Sequence, residues 1–379
     1  MDVAWQQFAH HYEVLWGALV AFSVVVMTTP AVGAVARLLG VVDRPEAGRR
    51  ASLRDIPRLG GLALFLGVLV PSLAFIPLHG EMRGVLLGAA AATLVGAVDD
   101  FRGLPWWAKL SGQAGAASIP AGFGVWIHGF TFPLIGVHEL PAWVGGPLTV
   151  LGIVTVMNMV NFLDGLDGLA AGVCAISALS FCLIDLSLGR PSEAILTATV
   201  FGGCVGFLRH NFYPARIFMG DSGALLLGYT LATVSVQGLL KTAALTTLVL
   251  PLLVLAVPLI DTSFVVAKRI KHGKPIYVAD RTHLHHRFEN IGFSQRRAVI
   301  YLYAWCTTLT SVAVATRLVR PHRHGRWDTT NVLIDAAIGL AAIAASVYVV
   351  YLLEIVKPAN PFIRRRVEQA RAEAEHEPS

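Results

Sequence analysis

Long apolar runs separated by short polar segments dominate this chain. A helix needs about 20 mostly apolar residues to cross the hydrocarbon core of a bilayer. Runs of this kind predict eleven membrane-crossing helices, near residues 14–39, 59–78, 83–98, 108–126, 146–161, 168–188, 192–207, 219–238, 243–267, 297–316 and 330–356. The aromatic, glycine-rich stretch 121–145 is too polar to cross and predicts a short hairpin or re-entrant segment. The pattern therefore predicts an all-α polytopic membrane helix bundle of ten or eleven transmembrane helices.

Composition supports a membrane protein. The 379 residues are 55% hydrophobic and 14% charged, against about 25% charged in an average soluble domain. The four cysteines lie inside apolar runs without CxxC spacing, so neither a disulfide framework nor a zinc framework follows. We interpret residues 1–356 as one integral membrane domain and residues 357–379 as a charged tail. The first helix acts as the insertion signal, because no cleavable signal peptide precedes it.

Charge indicates how the chain lies in the membrane. The net charge of +6 comes from loops, and no basic face with interleaved aromatics indicates nucleic-acid binding. Basic residues concentrate in 40–58, 268–297 and 357–379, which the positive-inside rule places in the cytoplasm with the N-terminus outside. The loops that carry acidic motifs then also face the cytoplasm. Loop 317–328, with four arginines, is an exception that faces outward.

Asp99 and Asp100 close one apolar run, and Lys109 opens the next. A helix C-terminus is electrostatically unfavourable for acids, which favours a functional interpretation over a solvated helix end. Adjacent helical residues point about 100° apart, so the two carboxylates are not expected to ligate one ion together. One carboxylate can act as a base or orienting group while an arginine or lysine holds the other.

Segment 158–168 follows a predicted membrane-crossing run directly. Asn158, Asn161, Asp164 and Asp167 recur every three residues, which is a polar stripe that a simple turn does not need. Gly165 and Gly168 predict an irregular turn that lets a ligand approach the backbone. An EF-hand is excluded, because Ala175 occupies the place of the bidentate glutamate.

Two further motifs complete the candidate chemistry. Asp221, in the Gly-Asp-Ser-Gly segment 220–223, opens an apolar run as a helix cap, as a magnesium ligand, or as both. The segment His-Leu-His-His-Arg at 283–287 lacks the partners of a tetrahedral zinc site, and its arginine repels cations. We therefore interpret 283–287 as a binding segment for a diphosphate.

These motifs together resemble the polyprenyl-phosphate N-acetylhexosamine-1-phosphate transferases. This family includes the bacterial undecaprenyl-phosphate GlcNAc-1-phosphate transferases and the phospho-MurNAc-pentapeptide transferase of peptidoglycan synthesis. The segments that carry the resemblance follow the family order: Pro57 to Gly61, Asp99-Asp100 with Lys109, Asn161 to Gly168, Gly220 to Gly223 and His283 to Arg287.

The resemblance implies a bundle in the bacterial inner (plasma) membrane with a catalytic cleft that faces the cytoplasm. A sugar-1-phosphate passes from a UDP-sugar to undecaprenyl phosphate with release of UMP. Mg²⁺, or alternatively Mn²⁺, is the implied cofactor, with Asn161 and Asp221 as its ligands. The other implied roles are as follows: Asp99 and Asp100 in catalysis at the lipid phosphate; Lys109 and Arg58 on phosphate groups; Asp164, Gly165 and Asp167 around the nucleotide, with both aspartates also catalytic; His283, His285, His286 and Arg287 on the sugar diphosphate, with the three histidines also catalytic.

The segment 283–287 distinguishes the possible donors, and the position of the acidic residues distinguishes the possible functions. The pentapeptide branch shows consecutive histidines where this chain has His-Leu-His-His-Arg, so the resemblance favours UDP-GlcNAc and leaves the pentapeptide donor as the alternative. A transporter or flippase is the alternative of another class, which expects charges near the bilayer midplane and inverted repeats. The acids here lie at helix ends on one side. The expected partners are UDP-GlcNAc, undecaprenyl phosphate and membrane lipids, and a homodimer is left open.

Overall fold

The computed structural model describes residues 12–43, 55–132, 136–240, 252–260, 293–319, 322–323, 326–327 and 329–352. Ten helices are bounded within these residues: α1 (Tyr12–Leu38), α2 (Gly60–Phe75), α3 (Gly80–Arg102), α4 (Trp106–Gly122), α5 (Ala142–Leu163), α6 (Leu169–Ser187), α7 (Pro191–Asn211), α8 (Gly220–Leu240), α9 (Gln295–Leu318) and α10 (Thr329–Leu352). Three antiparallel pairs of short strands connect them: β1 (Val42–Asp43) with β2 (Ile56–Pro57), β3 (Gly129–Phe132) with β4 (Gly136–Glu139), and β5 (His322–Arg323) with β6 (Arg326–Trp327).

Seven of the helices in the described part of the chain are long and apolar enough to cross a membrane. The prediction of an all-α polytopic membrane protein is therefore confirmed. Residues 252–260, inside the predicted run 243–267, form helical turns that pack on the middle of α6, where Ser177 Oγ donates to the carbonyl oxygen of Val254 at 3.0 Å. The predicted tail 357–379 lies outside the described residues.

Successive helices from α1 to α8 run in alternating directions, so the bundle has two distinct ends. One end, here called the acidic end, carries Asp99, Asp164 and Asp221 at the termini of α3, α5 and α8. The β3–β4 pair joins the far termini of α4 and α5 and confirms the hairpin predicted in 121–145. It lies at the opposite end of the bundle.

Arg317, the first residue of the arginine-rich loop 317–328, also lies at the opposite end. Arg317 donates to the hydroxyl of Ser187 at 3.0 Å and to its carbonyl oxygen at 3.1 Å, at the last residue of α6. A guanidinium there interacts favourably with the negative end of the helix dipole. The structure thus places Arg317 at the other end of the bundle from the acidic motifs, as the charge pattern predicts for the start of this loop.

Helix α8 is held at its far end by a buried arginine. Arg190, in the turn between α6 and α7, donates to the carbonyl oxygen of Gly238 at 3.2 Å and lies 3.9 Å from Asp185. The carbonyl groups of a helix C-terminus have no intrahelical partner, and a cation at that position satisfies them. The contact therefore fixes the far end of α8 to the turn between its neighbours.

Glycines let two helices approach the first turn of α8 closely. A Cβ atom built on Gly61 of α2 would lie 2.0 Å from the backbone nitrogen of Gly223, and one built on Gly96 of α3 would lie 2.4 Å from the carbonyl oxygen of Asp221. Small residues are the usual means by which membrane helices bring their backbones together. The first turn of α8 is thus packed between α2 and α3.

We expect Gly96→Ala to lower the melting temperature in detergent, although alanine is the better helix former. Overpacking costs about 1–3 kcal/mol, whereas removing a helical glycine gains about 0.5–1 kcal/mol. Gly115→Ala in α4 is the matched control, because a Cβ there meets no atom within 4 Å. Thermal denaturation of the two variants should give opposite shifts, and equal melting temperatures would contradict the close packing of α3 on α8.

Candidate active site

The carboxylate of Asp221 lies at the centre of a polar cluster built from four helix ends. Asn161 Nδ2, at the end of α5, donates to Asp221 Oδ1 at 2.5 Å. Lys109 Nζ, in the first turn of α4, donates to Asp221 Oδ2 at 2.6 Å and lies 2.9 Å from Asp99 Oδ2. Residues spread over more than 100 positions of sequence thus meet in one cluster.

Asp99 and Asp100 bind different partners, as their angular separation on the helix predicts. Asp99 Oδ1 accepts a hydrogen bond from the Leu104 amide at 2.6 Å and stabilises the turn after α3, where Gly103 adopts a left-handed φ of 64°. Asp100 instead accepts hydrogen bonds from the backbone amides of Asp221 at 2.8 Å and Ser222 at 3.0 Å. Asp100 therefore caps α8, and the side chain of Asp221 faces Lys109 and Asn161.

The segment after α5 forms the irregular turn that its glycines predict. Helix α5 ends at Leu163, and Gly168 has a φ of 79° immediately before α6 begins. Asp167 Oδ2 accepts a hydrogen bond from the Ala215 amide at 2.9 Å, which ties this turn to the loop before α8. The turn and that loop therefore form one wall.

Two residues that the sequence analysis did not single out support this arrangement. Asn211, the last residue of α7, accepts a hydrogen bond from the Gly168 amide at 3.0 Å and donates to the carbonyl oxygen of Ile217 at 2.9 Å. Gln113 of α4 exchanges hydrogen bonds with Asn158 at 2.7 and 3.3 Å. The first member of the predicted polar stripe thus joins two helices. An amide at the end of an apolar run was the available signal for Asn211.

A cavity of about 190 Å³ opens beside Asp221 at the acidic end. Its lining contains six of the predicted metal, nucleotide and phosphate residues and three residues that the sequence analysis missed: Arg58, Asn161, Asp164, Gly165, Asp167 and Asp221, then Asp43, Asn211 and Phe218. Asp99, Asp100 and Lys109 do not line it. Asp43 reaches the cavity because β1 pairs with β2, where Asp43 lies opposite Ile56. The predicted residues His283, His285, His286 and Arg287 lie outside the described residues.

The cavity is strongly acidic. Four aspartates and one arginine line its described part. Burial, followed by the negative charges of Asp221 and Asp100, raises the pKa of Asp164 to about 7, while Arg58 opposes the rise. A diphosphate cannot enter such a cavity favourably unless cations neutralise the carboxylates.

We expect the stability of the protein in EDTA to fall as pH rises from 5 to 8. The pKa of Asp164 is about 7 in the folded state, above its ordinary value of 3.8. The bound proton therefore stabilises the folded state at low pH, and this stabilisation is lost as the pH rises through about 7. Asp164→Asn lacks this group and should show a shallower decline of melting temperature over the same range. Parallel pH profiles for the two proteins would contradict the raised pKa.

The donor atoms at Asp221 are oxygen ligands of the kind that hard divalent cations take. No group of three or more His, Cys, Asp or Glu side chains that could hold a metal occurs among the residues that the structure describes. Asp221 and Asn161 offer one carboxylate and one amide. This set fits Mg²⁺, which takes one or two protein carboxylates and completes its shell with water and substrate phosphates.

The fold and this cluster define a polytopic membrane protein with a carboxylate–lysine site at one end of its helix bundle. Residues 82–239 match the glycosyl transferase family 4. The "Probable undecaprenyl-phosphate N-acetylglucosaminyl 1-phosphate transferase" of Bacillus subtilis is 34% identical over 93% of this chain and 96% of its own length. The decaprenyl-phosphate N-acetylglucosaminephosphotransferase of Mycobacterium leprae is 35% identical over 81% of this chain and 85% of its own length. A phospho-N-acetylmuramoyl-pentapeptide-transferase of Desulforudis audaxviator is 33% identical over 80% of this chain and 97% of its own length.

The chain belongs to glycosyl transferase family 4, as the resemblance of its motifs predicted. Within that family it is a membrane transferase of the polyprenyl-phosphate GlcNAc-1-phosphate transferase type.

Proposed function

We propose that this protein transfers GlcNAc-1-phosphate from UDP-GlcNAc to undecaprenyl phosphate. The products are UMP and undecaprenyl-diphosphate-GlcNAc, and the reaction is the first membrane step of a cell-envelope glycan pathway. The observation that carries the proposal is the meeting of Asp99, Lys109, Asn161 and Asp221 beside an acidic cavity. The names of the Bacillus and Mycobacterium relatives support the sugar and the lipid class.

In this reaction an oxygen of the lipid phosphate attacks the phosphorus that carries the sugar. The bond to the UMP phosphate breaks, and UMP leaves with that bridging oxygen. A monoalkyl phosphate has a second pKa near 6, so the acceptor is largely dianionic at neutral pH and needs no strong base. Phosphoryl transfer then depends mainly on positioning and on neutralised charge.

Each side chain of the cluster has a task in this scheme. Lys109 offers a positive charge to the acceptor phosphate, and Asp99 orients that phosphate through Lys109 and the turn it stabilises. Arg58 in the cavity attracts the donor diphosphate, while Asp164, Gly165 and Asp167 surround the nucleotide. We keep the prediction that His283, His285, His286 and Arg287 bind the sugar diphosphate.

Asp221 and Asn161 would hold Mg²⁺, with Mn²⁺ as the alternative ion. The ion supplies charge neutralisation and Lewis-acid polarisation of the diphosphate when it is bound. The acidic lining supports this assignment, because one arginine does not balance four aspartates. The basic loops 40–58 and 268–297 support a cytoplasmic orientation of the acidic end in a bacterial inner membrane.

A donor panel tests the proposal. The purified protein is incubated in detergent with undecaprenyl phosphate and Mg²⁺, and UMP release is compared for UDP-GlcNAc, UDP-GalNAc and UDP-MurNAc-pentapeptide. We expect release from UDP-GlcNAc. Release from the pentapeptide donor alone would support the second candidate function, which the Desulforudis relative favours. Uptake into liposomes without bond cleavage would reject both transferases and support a transporter.

A further inference from the structure

The N-terminus of α8 is capped by a side chain from another helix. The first amides of a helix have no intrahelical acceptor, and the residue before the helix usually supplies one from its side chain. Asp100 supplies it here from 121 positions earlier in the chain, with one oxygen on the Asp221 amide and the other on the Ser222 amide. The cap therefore joins α3 to the residue at the centre of the site.

The surroundings leave no space for an ordinary cap. Gly220 is the first residue of α8, but its φ of 71° is not helical, so it occupies the place of a cap residue. A Cβ on it would lie 2.1 Å from the carbonyl oxygen of Arg58 and 2.6 Å from Asp100 Oδ2. A serine or aspartate at position 220 would therefore collide with the backbone and with Asp100 itself. Gly96 brings α3 close enough for the carboxylate of Asp100 to reach both amides.

This geometry determines where the side chain of Asp221 can lie. Asp100 accepts a hydrogen bond from the backbone amide of Asp221 itself. The cap therefore fixes the backbone from which the carboxylate of Asp221 extends. The carboxylate then lies between Asn161 at 2.5 Å and Lys109 at 2.6 Å. A shift of the first turn of α8 would disturb both contacts at once.

We propose that Asp100 is a positioning residue, which sets the place of Asp221 by capping α8, and that it does not act as a base on the substrate. The consequence for turnover rests on the proposed function, whereas the cap itself does not. Taking up a proton as a base would remove the negative charge that strengthens both hydrogen bonds from the α8 amides to Asp100.

The test compares Asp100→Asn with Asp99→Asn by hydrogen–deuterium exchange and by kinetics. An asparagine keeps one acceptor oxygen and loses the other, so we expect faster exchange in a peptide that covers 218–224, by about 10-fold or more. Asp99→Asn should leave exchange in 218–224 unchanged. Because exchange needs no substrate, this measurement remains decisive even if the wild-type protein releases no UMP.

Kinetics supplies the second measurement. Asp100→Asn should raise the Mg²⁺ concentration for half-maximal turnover about 10- to 100-fold without changing the shape of the pH profile, because a displaced Asp221 binds the ion less well. Asp100→Glu should give a smaller change of the same kind. The proposal would be overturned if Asp100→Asn left exchange in 218–224 unchanged and removed the fall of turnover at low pH. If Asp100→Asn fails to fold, the exchange and pH profile of Asp100→Glu decide in the same way.

Discussion

Asp221→Asn is expected to lower magnesium-dependent UMP release by about 10³-fold. The substitution keeps the size of the side chain but removes the charge that would hold the ion. The Lewis-acid effect of a bound ion is worth several kcal/mol. Each loss of about 1.4 kcal/mol of transition-state stabilisation lowers the rate about tenfold. The measurement is turnover in detergent micelles over a range of MgCl₂ concentrations.

The fold should tolerate this change, because Asp100 caps α8 through the backbone and not through the side chain at 221. Glu81→Gln is the matched control, since Glu81 is also an acid in the first turn of a helix but lies in α3, at the opposite end of the bundle from Asp221. Equal turnover of the wild-type protein and Asp221→Asn would refute the metal assignment.

Lys109→Met is expected to reduce turnover by about 10²- to 10³-fold, which is the range for removing one preorganised donor at a developing charge. It also lowers the melting temperature, because Asp99 and Asp221 lose the ammonium that lies within 2.9 Å of both. Removing one partner of a charge pair leaves the other charge uncompensated. Lys109 is partly accessible, so solvent screening reduces the cost. Lys109→Arg should retain part of both properties.

A double variant separates the two effects of this lysine. Lys109→Met with Asp99→Asn removes one of the carboxylates that the lysine neutralises, so the melting temperature should recover while turnover remains low. The coupling free energy of the double-mutant cycle measures the ion pair directly. A double variant no more stable than Lys109→Met would show that the lysine stabilises the protein through packing and not through charge.

Much of the site could be predicted from the sequence because membrane helices make polar residues informative. Asp99, Asn161 and Asp221 each end or open an apolar run, where an ionisable or polar group is costly unless it has a task. The structure brings Asp99 and Asp221 to Lys109, and Asn161 to Asp221. Helices α3 to α8 alternate in direction, so two helix termini separated by an even number of helices lie at the same end of the bundle. The end of α3, the end of α5 and the start of α8 are separated in this way.

Other parts of the site could not be predicted. Asp43 lies in a polar segment without periodicity, and only the two-residue pairing of β1 with β2 brings it to the cavity. The partners of Asp100 depend on a close approach of α3 to α8 at Gly96, and a lone glycine in an apolar run does not reveal which helix will pack on it. Phe218 gave no polar signal at all.

Helix α8 is held by a carboxylate at its first residues and by the guanidinium of Arg190 near its last ones. These two contacts fix α8 along its own axis relative to α3 and to the turn between α6 and α7. They therefore set the level of Asp221 within the bundle. Depth is the coordinate that an acceptor anchored by a long hydrocarbon tail can adjust least, so a fixed level of Asp221 suits the proposed meeting of a lipid headgroup with a water-soluble nucleotide.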